Sequence, residues 1–267
     1  MENTNYFQIL KKNPDAISYI ENPTEEMKIF AVNNNGLVLK HILNPSIEVK
    51  EAALNSNSRA IEFIENPTEE MMIKAINSGW TNLELIKKPT EKVVKTAISQ
   101  AGWAIKYIKN PSEELQLLAI RKNFDAIKFI KEPFESVQIE AVKINYEALR
   151  YINEPSKEAE IIAVRSNEKA INFIKDLTEK KIMQFLKENF LVIKYVMNNI
   201  TKASLEQLLT EKLCEEDVDE KFVRDFLSYN YIQKGNLIIP KDRMEFIYNF
   251  GSKKAKKIAV DEKLKLK

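Results

Sequence analysis

The chain has 267 residues, of which 44% are hydrophobic and 30% are charged, and its 41 basic and 39 acidic side chains give a formal net charge of +2. This composition is typical of a folded globular protein and excludes a disordered, collagen-like or membrane-spanning chain. A single cysteine, Cys214, excludes an intramolecular disulfide framework and a cysteine-rich zinc site. A single histidine, His41, leaves little for histidine-based catalysis, and five glycines disfavour glycine-rich nucleotide loops.

The prolines carry the main signal of the sequence, an internal repeat. A proline begins a repeat of 22 residues. Met1 and Leu177 take the same first position without being prolines, so nine repeats, numbered 1 to 9 here, extend from 1 to 198. The clearest copy is repeat 6, PSEELQLLAIRKNFDAIKFIKE, at 111–132. Such self-similarity at a fixed period predicts a repeat architecture. Seven of the nine prolines recur at intervals of 22 residues, at Pro23, Pro45, Pro67, Pro89, Pro111, Pro133 and Pro155.

Each repeat reads as two short helices. The proline is expected to open the first helix, because a proline in the first turn loses no hydrogen bond. The N-cap is either the residue before the proline, as at Asn22, or the Thr or Ser after it, as at Thr24. Position 13 is Asn in seven repeats, as at Asn35, and we expect it to close the first helix in a left-handed conformation. Helices of about eleven and about seven residues are too short to be stable alone, so the repeats must stabilise one another by stacking.

The predicted fold class is therefore all-α, an α/α-solenoid of about nine 22-residue helix-turn-helix repeats with a helical C-terminal cap. Position 20, which is Ile in eight repeats and Val in repeat 9, is expected to be fully buried. Position 19 is aromatic in seven repeats, and we expect its rings to pack between repeats. His41 occupies this aromatic position and is interpreted as structural.

Three segments are predicted: the nine-repeat α-solenoid at 1–198, a helical C-terminal cap at 199–251, and a basic flexible tail at 252–267. A cap is expected because the last repeat of a solenoid would otherwise expose its core. The tail has seven lysines against two acidic residues. Within the cap, helical spacing is found at 204–213, 219–227 and 243–250, whereas 230–240 reads as a loop.

The PSEELQLLAIRKNFDAIKFI pattern of repeat 6 resembles the short, near-identical helical repeats of bacterial, phage and giant-virus proteins, and is similar in architecture to HEAT and armadillo arrays. The resemblance covers 1–198. It implies an array that binds proteins, peptides or nucleic acids through surface positions that differ between repeats. The richness in Lys, Ile and Asn suggests a low-GC genome, which fits a bacterium or a phage.

Charge is the first difference between the repeats. At position 11, the end of the first helix, repeats 6 to 9 carry cations where repeats 2 to 5 carry Asn or Ser. Equivalent residues of stacked repeats lie about 10 Å apart, so these cations predict a stripe that follows a phosphate backbone or an acidic protein surface. Cations in a last helical turn also complement the helix dipole, and that interpretation stays open. The four residues, called the basic ladder, are Arg121, Lys143, Arg165 and Lys187, and position 18 adds Lys106, Lys128, Arg150 and Lys194.

Aromatic residues in the turn between the two helices are the second difference. Exposed aromatic side chains beside Arg are typical interface anchors, and they also stack on unpaired bases. The alternative is that each ring covers the adjacent hydrophobic seam. The four residues are Trp80, Trp103, Phe124 and Tyr146.

No catalytic constellation is evident, because a Walker loop, a dinucleotide-binding glycine pattern, an HExxH motif and a nucleophile elbow are all missing from the sequence. We therefore expect a non-catalytic scaffold without a cofactor or metal. A protein partner, bound through the variable surface of repeats 4 to 9, is favoured. The alternative is a nucleic-acid or ribonucleoprotein binder that uses the basic ladder, and one form of both is a phage-encoded inhibitor of a host nuclease or CRISPR effector. Without a signal peptide or a membrane-length apolar run, the sequence predicts a cytoplasmic protein with no membrane contact.

Overall fold

The structure is a computed structural model that describes residues 2–229 and 239–265. Over these residues the protein is all-α, and its helices recur every 22 residues, which confirms the predicted fold class. Each repeat has an α-helix followed by a 3-10 helix, and further α-helices come after the ninth repeat. The chain forms two compact units, Met1–Pro133 and Phe134–Lys267, called here the N-terminal unit and the C-terminal unit.

The N-terminal unit contains repeats 1 to 6, whose α-helices pack side by side in chain order. These α-helices are Glu2–Lys12, Glu25–Asn34, Ile47–Ser56, Glu69–Ser78, Glu91–Gln100 and Glu113–Lys122. The 3-10 helices, which pack on one another in the same order, are Pro14–Tyr19, Gly36–His41, Ser58–Phe63, Trp80–Leu85, Gly102–Tyr107 and Phe124–Phe129.

The C-terminal unit contains repeats 7 to 9 and the helices that follow them. In repeat 9 the 3-10 helix continues into a short α-helix and a last 3-10 turn, so the regular pattern ends there. The α-helices of the repeats are Glu135–Ile144, Lys157–Ser166 and Glu179–Glu188, and the 3-10 helices are Tyr146–Tyr151, Glu168–Phe173 and Phe190–Val192, followed by Ile193–Val196 and Met197–Asn199.

We expected the proline in the first turn of the α-helix. In repeat 2 the helix begins at Glu25, two residues after Pro23, so the proline lies before the helix. Of the two predicted caps, the hydroxyl residue is the one used. In repeat 2, Thr24 Oγ1 accepts a hydrogen bond from the Met27 amide at 3.3 Å. Six further repeats are capped in the same way, by Ser46, Thr68, Thr90, Ser112, Ser156 and Thr178.

The expected left-handed Asn at position 13 is wrong. Asn35 has φ −154°, an extended conformation, and its Oδ1 accepts a hydrogen bond from the Leu37 amide at 3.1 Å. Position 13 still ends the first helix, since the Asn35 amide donates to the Ala31 carbonyl at 3.0 Å, and its side chain in addition caps the second helix. The left-handed residues stand at position 22 instead, just before the next repeat, and they are Asn44, Asn66, Asn110 and Asp176.

The second helix has six residues and is a 3-10 helix, not the expected α-helix of about seven residues. It is held between two fixed ends, the capping Asn and the buried residue at position 20. In repeat 2 the Ile42 amide donates to the Leu39 carbonyl at 3.0 Å. In a helix of only six residues, hydrogen bonds between residues i and i+3 satisfy more backbone amides and carbonyls than α-helical bonds between residues i and i+4 do.

The core is built from recurring pairs of a small and a large residue. Ala31 and Val32 at positions 9 and 10 are inaccessible to solvent, and the equivalent pairs of repeats 3 to 8 are buried as well. Position 20 is buried in most repeats, as Ile42 is, but Ile20 and Ile108 are only half-buried. Alanine at position 9 permits close packing of neighbouring helices, and the larger residue beside it fills the space between them.

Hydroxyl caps also connect consecutive repeats. Thr90, the cap of repeat 5, donates its Oγ1 hydrogen to Glu69 of repeat 4 at 2.6 Å. This hydrogen bond and a second one from Lys92 lower the pKa of Glu69. Ser46 makes the same bond to Glu25 at 2.9 Å. Glu25 and Glu69, in the first turns of their helices, therefore each bind the cap of the next repeat.

The described part of the segment after the repeats contains four α-helices, Lys202–Leu213, Glu220–Ser228, Arg243–Phe250 and Lys253–Lys265. The last of these corrects the prediction of a flexible tail at 252–267. It packs on Glu220–Ser228, with Ala255, Ile258 and Ala259 buried, and Glu262 is paired with Arg224. Most of the loop predicted at 230–240 lies outside the described residues. In the described part of the chain no helix has the length and apolar character needed to cross a membrane.

Candidate functional site

The aromatic side chains at position 19 are exposed or half-buried rather than core residues, and the expected packing between repeats is seen for Tyr107 and Phe173. In the N-terminal unit the side chains of Tyr19 and Phe129 are 88% and 41% exposed. In the C-terminal unit Tyr151 and Tyr195 are also exposed, and Phe173 is half-buried. Because position 19 ends the 3-10 helix, these rings line the outer edge of the array within each unit.

Trp80 begins the 3-10 helix of repeat 4 and is half-buried. The centroid of its indole lies 6.2 Å from that of Tyr107, which is at position 19 of repeat 5. Lys106, at position 18 of the same repeat, places Nζ 5.4 Å from the Trp80 centroid and 4.6 Å from the Tyr107 centroid. A lysine thus lies against two aromatic faces that come from adjacent repeats.

Repeat 6 reproduces this arrangement one repeat further on. Lys128 Nζ lies 5.0 Å from the Phe129 centroid of its own repeat and 6.0 Å from the Trp103 centroid of repeat 5. Trp103 is 37% exposed and donates its Nε1 hydrogen to Asp125 at 2.8 Å. We call the six residues of the two arrangements the lysine–aromatic strip, namely Trp80, Trp103, Lys106, Tyr107, Lys128 and Phe129.

Asp125 fixes one end of the lysine–aromatic strip. Lys128 Nζ donates to its Oδ2 at 3.0 Å, while Trp103 occupies Oδ1. Burial favours the neutral carboxyl, but the hydrogen bonds from Lys128 and Trp103 outweigh this effect and lower the pKa of Asp125. The carboxylate therefore orients an aromatic residue and a lysine of neighbouring repeats. Phe124, the remaining predicted residue of this region, is half-buried at the start of Phe124–Phe129.

The C-terminal unit has a smaller group of the same kind. Tyr146 stacks on Phe173, with the ring centroids 6.3 Å apart and the planes inclined by 27°. The guanidinium carbon of Arg150 lies 5.0 Å from the centroid of Phe173. The structure thus brings two predicted residues, Tyr146 and Arg150, onto a ring that the sequence did not single out.

The basic ladder is divided between the two units, with Arg121 in the N-terminal unit and the other three residues in the C-terminal unit. Arg165 donates from Nε and Nη2 to Glu188 at 2.9 and 2.7 Å. Lys187 pairs with Glu211 at 2.9 Å and lowers the pKa of that carboxyl. Lys143 is exposed. Two of the three ladder cations in this unit are therefore joined to acidic residues.

An open groove of about 730 Å³ lies on the α-helical side of the N-terminal unit. All its lining residues are of polar or charged types, and Lys95 among them pairs with Glu91 and with Glu114, each at 2.7 Å. These two carboxylates raise the pKa of Lys95. Nowhere in the described ranges do three acidic, histidine or cysteine side chains converge as metal ligands would. The other lining residues are Asn77, Lys92, Thr96, Ser99 and Gln100.

The sequence did not indicate two residues of the lysine–aromatic strip or the aspartate that binds it. Tyr107 and Phe129 were assigned to packing, and Asp125 was not considered. The available signal was the adjacency of a lysine at position 18 to an aromatic residue at position 19, which occurs in repeats 5, 6 and 9. Comparison with protein-family profiles, curated proteins and solved structures finds no match to the chain.

Proposed function

We propose that this protein is a non-catalytic scaffold that binds a partner protein, in the manner of HEAT and armadillo arrays. The observation that carries the proposal is the lysine–aromatic strip of repeats 4 to 6. Trp103 is exposed yet held by its hydrogen bond to Asp125, and Lys106 and Lys128 lie over ring faces. Aromatic anchors that are ordered before binding lose little conformational entropy in a complex, so they contribute strongly to protein interfaces.

The charges favour a protein partner over a nucleic acid. In the C-terminal unit Arg165 and Lys187 are already paired with Glu188 and Glu211. Phosphate binding through these cations would have to compete with the carboxylates. In the N-terminal unit the negative charge of Asp125 lies next to Trp103, where a base would have to stack. A protein surface accommodates such alternating charges because it can present both signs.

The proposal is tested by immobilising the protein and comparing what it captures with what two variants capture. The first variant, Trp103→Ala with Phe129→Ala, removes two exposed rings of the lysine–aromatic strip. The matched control is Tyr248→Ala, which removes an exposed ring that also has a lysine beside it, since Lys256 Nζ lies 5.6 Å from its centroid. We expect nuclease-treated extract to yield a stoichiometric protein partner that binds wild type and control equally and the double variant at least about tenfold more weakly.

Two results would contradict the proposal. Capture of the same proteins by wild type and by the double variant would show that the lysine–aromatic strip is not an interface. Loss of all capture after nuclease treatment would favour the nucleic-acid or ribonucleoprotein binder. In that case binding should also fall by orders of magnitude as salt rises from about 50 to about 200 mM, because released counterions dominate phosphate binding.

A further inference from the structure

The edge formed by positions 14 to 22 of each repeat, which holds the 3-10 helix and the turn after it, changes its charge within the N-terminal unit. In repeats 1 to 3 it carries Lys40 and Arg59 against Asp15, Glu21, Glu62 and Glu65, a net charge of −2. In repeats 4 to 6 it carries Lys87, Lys88, Lys106, Lys109, Lys128 and Lys131 against Glu84, Asp125 and Glu132, a net charge of +3.

The basic part of this edge coincides with the lysine–aromatic strip. All six of its lysines are exposed. Lys106 and Lys128 are in addition held against aromatic faces, which limits the directions in which their ammonium groups point. The edge therefore combines positive charge in a restricted geometry with exposed rings, and it needs a partner surface that is negative and in part apolar.

We infer that this edge of repeats 4 to 6 is the docking site for an extended acidic segment of a partner protein. The inference rests on the proposed function and adds the chemistry of the partner. Charge complementarity selects the acidic segment. Carboxylates of the partner meet the lysines, while its intervening side chains contact Trp103 and Phe129.

The repeat geometry gives the segment a register. Adjacent repeats place equivalent residues about 10 Å apart, the usual distance between packed helices. An extended chain advances about 3.3 Å per residue, so about three residues span one repeat. An acidic residue at every third position therefore meets one lysine of each repeat in turn.

A peptide is preferred to a single-stranded nucleic acid because of the acidic residues within the edge. Asp125 lies between Trp103 and Lys128, and Glu84 and Glu132 flank the lysines. A nucleic acid carries a negative charge at every nucleotide and cannot avoid these carboxylates. A peptide can place an uncharged or basic residue opposite each of them.

The test uses the full chain and two synthetic peptides of identical composition. One has glutamate at every third position, in repeated Glu-Leu-Ser triplets, and the other has all its glutamates at one end. A thymidine oligonucleotide with the same number of negative charges is the third probe. Affinity is measured by fluorescence anisotropy of the labelled probe. Tryptophan emission locates the binding, because the chain has two tryptophans and both are in the lysine–aromatic strip.

We expect the triplet peptide to bind tightest and to change the tryptophan emission. Lys106→Glu with Lys128→Glu should weaken it by at least about tenfold, because two attractive contacts become repulsive. Lys256→Glu is the matched control, since it reverses a lysine beside Tyr248 in the C-terminal unit, and it should leave the affinity unchanged. Far-UV circular dichroism of each variant checks that the helices are retained.

Three outcomes overturn the inference, and a fourth overturns only its register. Tighter binding of the oligonucleotide assigns the edge to nucleic acid. Equal affinity of the wild type and the double lysine variant removes the edge as the binding site. No binding of either peptide rejects the acidic segment, and if a protein partner is still captured through Trp103 and Phe129, the proposed function stands without it. Equal affinity for both peptides overturns the three-residue register.

Discussion

The indole of Trp103 in repeat 5 donates a hydrogen bond to the carboxylate of Asp125 in repeat 6, with 2.8 Å between Nε1 and Oδ1. The two residues stand at the same position of consecutive repeats, so the bond joins the edges of neighbouring 3-10 helices. The second carboxylate oxygen accepts from Lys128 at 3.0 Å. One acidic side chain therefore holds both an aromatic residue and a cation of the lysine–aromatic strip.

Replacement of Asp125 should lower stability in a pH-dependent way. The folded-state pKa of this carboxyl is below its ordinary value of 3.8, despite the opposing effect of burial, because Lys128 and Trp103 hydrogen-bond to the carboxylate. A lowered pKa contributes stability that is present above the unfolded-state value and is lost as the pH falls through the folded-state value. Asp125→Asn should thus cost about 1 kcal/mol at neutral pH, and less as the pH falls below 3.8.

Urea unfolding at neutral and acidic pH, followed by tryptophan fluorescence, measures this difference. Trp103→Phe is the companion variant, since it keeps an aromatic ring and removes the indole donor. A difference between wild type and Asp125→Asn that stays constant from neutral to acidic pH would contradict the assigned role of the carboxylate.

Repeat 4 differs from most repeats at two positions, with Gly79 at position 13 and Asn82 at position 16 in place of Asn and Ala. In repeats 2, 3, 5 and 6 the amide at position 13 donates to the carbonyl at position 9, but Gly79 donates to Ile76 instead. The free Ala75 carbonyl receives the buried Asn82 side chain at 2.8 Å. Asn82→Ala leaves this carbonyl without a donor, so we expect a loss of about 1–3 kcal/mol in the free energy of unfolding.

Gly79→Asn combined with Asn82→Ala restores the residues that most repeats have at these two positions. A Cβ at residue 79 would have Thr81 Oγ1 as its nearest neighbour, at 3.9 Å, so the added side chain is accommodated. The double variant should regain most of the stability lost in Asn82→Ala, as measured by urea unfolding. Additive losses in the two single variants would show that the residues act independently.

Gly102 allows a close approach between repeats 5 and 6. A Cβ at this residue would lie 2.2 Å from the Ala119 carbonyl oxygen of the next α-helix. Gly102→Ala must push the two repeats apart, and we expect a cost of about 1–3 kcal/mol. Gly79→Ala is the matched control and should cost far less, because its surroundings are open. Similar unfolding midpoints for the two variants would exclude this close approach.

The last helix, Lys253–Lys265, should contribute to stability through its buried side. Ile258 is buried against the C-terminal unit, whereas Val260 on the same helix is 54% exposed. Ile258→Ala should cost about 2 kcal/mol and Val260→Ala much less. Thermal unfolding followed by far-UV circular dichroism distinguishes them. If neither variant shifts the transition, 253–265 is the mobile tail that its composition suggested.

The sequence alone predicted the repeat, its nine copies and the all-α class. These features could be predicted because they depend on local and recurring signals, namely the proline spacing, the hydroxyl cap and the Ala31-Val32 type of pair. The length of the second helix and the role of Asn35 were harder to predict, since Asn is equally suited to a left-handed turn and to an N-cap. The choice depends on which helix end it faces.

The tertiary structure decided the rest. Whether Tyr107 and Phe129 are core or surface depends on how the 3-10 helices are turned, and composition carries no information on that. The pairing of Arg165 with Glu188 depends on contacts between residues 23 positions apart. The lysine-rich C-terminal segment is a helix rather than a tail because the chain folds back and provides Glu220–Ser228 as a surface on which Ala255, Ile258 and Ala259 are buried. Local patterns thus fixed the repeating unit, while exposure and charge pairing followed from the packing of distant segments.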